Sequence, residues 1–301
     1  GNFDDAQTGV KTLFSDESLR EELAQRGYFL SSANSINWGR VLPQIVYYIS
    51  AYCDLLAQGA VTEGEAVNFC VPTGNFGNIL SAFYAKEMGL PIGRLLCASN
   101  SNNVLTDFIA TGKYDRNRPF YNTVSPSMDI LISSNLERLL YLLSGGDDKL
   151  VAGYMKELSD TGCYQVSGEM LEKIQSVFVG GFSSEEETEA TIGKMMDEHQ
   201  YLIDTHTAVA FHVLEQYRKD TGDQIKTVVA STASPFKFCD AVLDALNVTD
   251  KATGTALLDQ LADVSGMPAP QPLATLKDKK VRFTSWTEKE QMRTVVTDFL
   301  K

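Results

Sequence analysis

The stretch spanning residues 66–98 constrains this chain more than any other. Ala66-Val-Asn-Phe-Cys-Val71 is a short apolar run that gives way to Pro72-Thr-Gly-Asn-Phe-Gly-Asn78; residues 78–88 then return to helical period until Gly89-Leu-Pro91 breaks it. Residues 94–98 form a second apolar run. Strand, tight loop, helix and strand in that order make the βαβ crossover of a parallel sheet, because parallel neighbours need a connection long enough to hold a helix.

The rest of the chain repeats the alternation. Asp4 or Asp5 is placed to cap a helix over residues 6–14, and residues 17–25 read as a second helix ending at Gly27. Both open the chain abruptly, with nothing upstream to pack on. Val41, Leu42, Ile45, Val46, Tyr48, Ile49 and Tyr52 recur at helical spacing, predicting one long, mostly buried helix over residues 36–56. Residues 99–134 look loop-rich, residues 135–143 predict a helix, and Ser183-Ser-Glu-Glu-Glu187 resembles a capping box for an acidic helix running to about His199. Asp204 or Thr205 starts a helix that ends near Gly222, residues 225–230 read as a buried strand, and Ser231-Thr-Ala-Ser-Pro235 leads into a helix over 236–246. Beyond the linker Pro268-Ala-Pro-Gln-Pro272, a strand is expected at 281–283 and a helix at 287–299. Such alternation implies a doubly wound, mostly parallel α/β sheet.

Charge narrows the partners. Lys and Arg number 26 against 39 Asp and Glu, a net charge of −13, which argues against nucleic-acid binding through a basic face. Any anionic ligand must therefore meet local positive potential. The longest uncharged stretch, residues 66–85, contains Pro72, Gly74, Gly77 and three asparagines, so no membrane span is read there. Gly1-Asn2-Phe3-Asp4-Asp5 has neither the basic start nor the apolar core of a signal peptide. Five cysteines form an odd set without close pairing, and Cys53, Cys70, Cys97 and Cys239 sit in apolar stretches, which points to a reducing cytoplasm and no zinc site.

Three segments carry possible chemistry. In Pro72–Asn78 a strand runs in and a helix runs out, so free backbone N–H groups and the positive end of the helix dipole converge at the carboxyl edge of the sheet, as in a phosphate cradle. Gly74 and Gly77 are able to take positive φ and let backbone approach an anion, while Asn75 and Asn78 add uncharged donors. The same residues also fit a ligand-free βα turn. In Asn34-Ser-Ile-Asn-Trp-Gly-Arg40, Ser35, Asn37 and Arg40 gather hydroxyl, amide and guanidinium donors at a helix start, although an N-cap and a surface arginine explain them equally. Ser231–Pro235 again lies at the carboxyl end of a strand, where a hydroxyl can meet a heterocyclic nitrogen, or where Ser234 simply caps a helix with Pro235 at its first position. His206 reads as an ordinary helix-start histidine, with no nucleophile beside it for a triad.

Taken together these segments resemble threonine synthase, a pyridoxal 5′-phosphate (PLP) enzyme of fold type II. The resemblance rests on the opening G-N-F-D-D, then N-S-I-N-W-G-R, V-P-T-G-N-F-G-N, Ala98-Ser-Asn-Ser-Asn-Asn, Asp204-Thr-His-Thr-Ala-Val and Ser231-Thr-Ala-Ser-Pro-Phe-Lys-Phe, in family order over nearly the whole chain. It implies conversion of O-phospho-L-homoserine and water into L-threonine and inorganic phosphate. It also implies that Gly74, Asn75, Phe76, Gly77 and Asn78 hold the cofactor phosphate, that Thr232 meets the pyridine nitrogen, and that Ser35, Asn37 and Arg40 hold the substrate phosphate. A hydroxyl at that nitrogen leaves the ring a weaker electron sink than a carboxylate would.

Two departures stand out. Ser234 occupies a position where the family often has histidine, so no role of that histidine is transferred. The family's Schiff-base lysine lies upstream of G-N-F-D-D and no lysine here matches its motif, Lys237 belonging to the C-terminal pattern; no catalytic residue is therefore assigned. The expectation is a C-terminal portion of the enzyme, inactive alone. Residues 1–33 would be a remnant of the small domain, 34–267 the large domain with a helical and loop-rich insertion at 113–203, and 268–301 a C-terminal βα extension. Self-association through an exposed small-domain interface follows as an expectation. The alternatives are a threonine synthase-like phospholyase and a non-catalytic module that binds phosphate esters.

Overall fold

A computed structural model describes residues 3–300, with the backbone alone for residues 3–5, 7 and 8. The capping role of Asp4 or Asp5 lies outside the described side chains. In chain order the elements are α1 (Phe3–Ser15), α2 (Glu17–Gln25), α3 (Trp38–Val41), α4 (Ile45–Ala57), β1 (Val67–Pro72), α5 (Gly77–Glu87), β2 (Ile92–Ser99), α6 (Val104–Thr111) and β3 (Lys113–Asp115). There follow α7 (Leu136–Leu143), α8 (Asp148–Thr161), β4 (Cys163–Gln165), α9 (Gly168–Val177), β5 (Phe178–Phe182), α10 (Glu185–His199), α11 (Thr205–Thr221) and β6 (Thr227–Val229). The chain closes with α12 (Cys239–Ala245), α13 (Ala256–Ser265), α14 (Gln271–Ala274) and α15 (Met292–Phe299).

The main sheet has four parallel strands in the order β5-β2-β1-β6. Its centre is apolar on both faces because helices cover both. Phe69, Val71, Leu95 and Cys97 pack with Ile79, Leu80 and Phe83 of α5 and Phe108 of α6. Cys70, Leu96 and Ala98 face the other way, against Val209, Ala210, Val213 and Leu214 of α11. This is the doubly wound α/β arrangement. A further core joins α10, α12 and α13 through Ile192, Val242, Leu243, Leu258 and Leu261. Among the described residues no helix is long and apolar enough to cross a membrane.

Several local expectations change. Pro43 lacks an N–H and crowds the preceding turn, so the long helix of 36–56 divides into α3, a 3-10 turn at Leu42–Gln44 and α4. Only Val41, Ile45, Tyr48 and Tyr52 of its apolar set are buried, while Leu42, Val46 and Tyr47 are exposed. The stretch 99–134 contains α6, and the proposed insertion 113–203 contains β5, an edge strand of the main sheet. Glycine hides β5 from a propensity reading: a Cβ on Gly180 would stand 2.9 Å from Thr106 Cα, and one on Gly181 2.6 Å from Val213 Cγ1. Helices α6 and α11 thus approach β5 where only glycine fits.

Residues 281–283 form no strand; Val281 and Phe283 are exposed and unpaired, since their apolar character has no neighbouring edge to join. The two opening helices do have partners. Arg293 of α15 reaches Asp16 at 2.7 Å and Glu22 at 3.6 Å, and Arg26 donates to the Leu300 carbonyl. The C-terminal helix thus packs beside the opening helices, a pairing too distant in sequence for periodicity to report.

Candidate functional site

The 72–78 loop is built to face its N–H groups away from the protein. Thr73 N–H continues the sheet by donating to the Ala98 carbonyl at 2.8 Å, and the first helical bond of α5 runs from Leu80 N–H to the Phe76 carbonyl at 3.0 Å. Between them the carbonyls are occupied: Ser133 Oγ donates to Gly74 O at 2.7 Å, Asn135 Nδ2 to Asn75 O at 2.9 Å, and Ser81 Oγ to Gly77 O at 3.0 Å. The backbone N–H groups of Gly74 through Ile79 meet no acceptor among the described residues. A loop whose acceptors are satisfied and whose donors are free, at a helix N-terminus, is complementary to an anion.

The glycines act by size rather than by handedness. Neither Gly74 nor Gly77 takes positive φ; the left-handed residue is Phe76, at φ 62°. That conformation costs a non-glycine residue on the order of 1–2 kcal/mol, and Phe76 is held in it by a side chain only 1% exposed, with its ring 5.5 Å from that of Phe178. A Cβ on Gly77 would stand 2.8 Å from Ser35 Cβ, and one on Gly74 would stand 2.9 Å from the Ser127 carbonyl. Both glycines therefore admit neighbouring segments that press on the loop from behind.

Those segments are fixed by buried polar groups. Asp129 accepts from Asn100 Nδ2 at 2.8 Å, Asn102 Nδ2 at 3.0 Å and Thr123 Oγ1 at 2.6 Å, which sets the turn carrying Ser127. Tyr114, stacked on Tyr164, donates to Leu131 O at 3.0 Å and accepts from Ser133 N–H at 2.8 Å. Arg138 binds the carbonyls of Ser35 and Ile36 at 3.0 and 2.6 Å, locking the 34–36 segment against the loop.

A cavity of about 510 Å³ gathers Arg40, Asn78 and Thr232 with Tyr48, Phe69 and Ser231. Tyr48 O–H donates to Asn78 Oδ1 at 2.6 Å, and burial pushes the phenol well above its ordinary range, so it stays protonated. The Asn78 carbonyl is thereby engaged, leaving its NH₂ group for the cavity. Ser35 and Asn37 are placed differently. Ser35 Oγ lies behind Gly77 and accepts from Asn135 Nδ2 at 3.1 Å. Asn37 uses its amide at the start of α3, accepting from Gly39 N–H at 2.9 Å and donating to Ser32 O at 3.0 Å. Of the three, Arg40 alone lines the cavity. Ser234 caps the 3-10 turn that begins at Pro235.

Sequence reasoning missed Tyr48, Asn135 and Arg138. Tyr48 was legible only as one apolar member of a helix face. Asn135 and Arg138 sit at the start of α7, where nothing local reveals that their partners are residues 35, 36 and 75.

A parallel α/β sheet with a donor-lined glycine-asparagine loop at its carboxyl edge is the architecture of fold type II PLP enzymes, and the comparisons agree. Residues 207–296 match the family profile described as "Threonine synthase, C-terminal". The human protein "Threonine synthase-like 1" is 44% identical over 270 residues, covering 89% of this chain and 36% of the relative. Threonine synthase of Saccharomyces cerevisiae is 36% identical over 315 residues, covering all of this chain and 58% of the relative. Among solved structures, PLP-bound threonine synthase from Brucella melitensis superposes with a TM-score of 0.79 at 38% identity, over 99% of this chain and 58% of that one. The yeast enzyme gives 0.81 at 33%, over 100% and 58%. The chain resembles threonine synthases along its length, and residues 207–296 match their C-terminal domain. It spans 36% to 58% of the length of these curated relatives, consistent with a C-terminal portion.

Proposed function

We propose that this chain binds pyridoxal 5′-phosphate at the 74–78 loop and that, as part of a longer protein, it serves the conversion of O-phospho-L-homoserine and water into L-threonine and phosphate. The observation that carries this is the set of unpaired N–H groups from Gly74 to Ile79, backed by satisfied carbonyls. When bound, the cofactor's ring supplies an electron sink for negative charge at substrate carbon.

The chain's own residues have separable roles. Gly74, Asn75, Phe76, Gly77 and Asn78 hold the cofactor phosphate by backbone donors. Thr232 meets the ring nitrogen with an uncharged hydroxyl. Arg40 offers the cavity a permanent positive charge for the substrate phosphate, and the Asn78 amide adds a donor beside it. Ser35 shapes the cradle from behind, and Asn37 fixes the helix start that aims Arg40. The chain alone performs no turnover, because no lysine in it matches the family's Schiff-base motif. Its compartment is the cytoplasm, and an exposed small-domain interface provides a route to self-association.

The alternative reading is a threonine synthase-like phospholyase that releases a keto acid from a phosphorylated amino acid. Product analysis on the longer protein separates the two. For the binding claim, titration with PLP followed by protein fluorescence tests the loop. Saturable binding displaced by inorganic phosphate and abolished in Gly77→Ala is expected; binding indifferent to phosphate and to that substitution would overturn the assignment.

A further inference from the structure

The start of α11 holds a buried polar group larger than a helix cap requires. Asp204, 1% exposed, accepts from His206 N–H at 2.9 Å and Thr207 N–H at 3.4 Å, which is ordinary capping by one oxygen. The same Oδ1 lies 3.1 Å from His206 Nδ1, and Oδ2 accepts the Thr207 hydroxyl. A carboxylate withdrawn from water is stable only when so surrounded, yet capping alone would use neither side chain.

Both side chains lead outward to the two loops of the site. His206, 3% exposed, accepts the Ser127 N–H on Nε2 at 3.3 Å, so its proton sits on Nδ1 toward Asp204. Ser127 is the residue whose carbonyl fills the space behind Gly74. On the other side, Thr207 Oγ1 lies 3.3 Å from Ser231 Oγ, the neighbour of Thr232, and the His206 ring packs 4.8 Å from that of Phe238 on the same segment. One buried cluster thus touches the backing of the phosphate loop and the loop bearing the ring-nitrogen hydroxyl.

We propose that Asp204, His206 and Thr207 are positioning residues that fix the separation between the Gly74–Asn78 cradle and Thr232, so that a phosphorylated pyridine is gripped at both ends at once. The proposal rests on the reading of those two loops as the grips on one cofactor. It assigns no contact with substrate to the three residues. Their effect is on registration: a phosphate alone needs only the cradle, whereas a phosphorylated pyridine needs cradle and hydroxyl at a set distance.

The test titrates the 301-residue chain with inorganic phosphate and with pyridoxine 5′-phosphate, whose alcohol forms no covalent bond to any lysine. The variants are Thr207→Val, Thr207→Ser and Ser231→Ala, the last at an exposed residue and checked for folding by its Tm. Thr207→Val and Ser231→Ala are expected to weaken pyridoxine 5′-phosphate by about fivefold to tenfold, the scale of one hydrogen bond, with phosphate affinity unchanged and no further loss when combined. Thr207→Ser restores wild-type affinity. Wild-type binding of pyridoxine 5′-phosphate retained in Ser231→Ala, or equal losses for both probes, would overturn the positioning role alone. Wild-type chain that binds pyridoxine 5′-phosphate no tighter than phosphate would overturn the two-grip reading and this proposal together.

Discussion

Tyr48 O–H donates to Asn78 Oδ1 at 2.6 Å, and this contact joins helix α4 to the first turn of helix α5 across the cavity that also contains Arg40. Removing the hydroxyl in Tyr48→Phe leaves a half-buried amide oxygen without its donor and frees the amide to turn. We expect a loss of about 1–2 kcal/mol in stability and several-fold weaker binding of O-phospho-L-homoserine, with inorganic phosphate binding at the cradle unchanged. Urea denaturation and isothermal titration check the two parts.

The glycines separate crowding from flexibility. Gly77→Ala and Gly74→Ala force a methyl group against Ser35 and the Ser127 carbonyl, so each should destabilise by about 1–3 kcal/mol and disrupt phosphate binding. Gly153 lies inside α8 with ordinary φ and nothing near its Cβ position. Gly153→Ala should therefore stabilise by about 0.5–1 kcal/mol, seen as a higher Tm with ligand binding intact.

Thiol chemistry should follow burial. Cys53 is exposed, whereas Cys70 and Cys97 are buried on opposite faces of the sheet. Burial raises both buried thiols, Cys97 to about 12, so neither forms thiolate at neutral pH. Native protein should expose Cys53 to a disulfide reagent at once, with Cys70 and Cys97 reacting only on unfolding; mass mapping of the modified sites checks this.

The same burial sets an alkaline limit. Cys70, Cys97, Tyr48, Tyr114 and Tyr164 all have raised values in the folded state, from ordinary values of 9.0 for the thiols and 10.0 for the phenols. Above about pH 9 the unfolded chain releases protons that the folded chain keeps, so stability falls as pH rises. The contribution is complete below pH 9 and is lost through pH 12 and beyond. Urea midpoints at pH 8 and pH 10.5 should differ, the latter being lower, and Cys97→Ala should reduce the difference.

The sheet centre and the loop were legible because their signals are local. β1 is apolar throughout and its break at Pro72–Asn78 is punctuated by glycine, while the Ser184–Glu187 box and the Asp204 cap announce α10 and α11 directly. β5 was not, because Gly180 and Gly181 replace the branched residues that mark a strand and reveal their purpose only against α6 and α11. Arg138 and Tyr48 escaped for a related reason: their partners lie 30 to more than 100 residues away. Within the site, Arg40, Asn78 and Thr232 line one cavity, while Asn37 engages its own helix start.

The central claim is that the N–H groups of residues 74–79 bind a phosphate ester, and backbone amide chemical shifts of the ¹⁵N-labelled chain report it most directly. Adding pyridoxine 5′-phosphate should move the Gly74, Asn75, Phe76, Gly77, Asn78 and Ile79 amides saturably and downfield, with inorganic phosphate moving the same set. Saturation of other amides while these six stay in place would contradict the account.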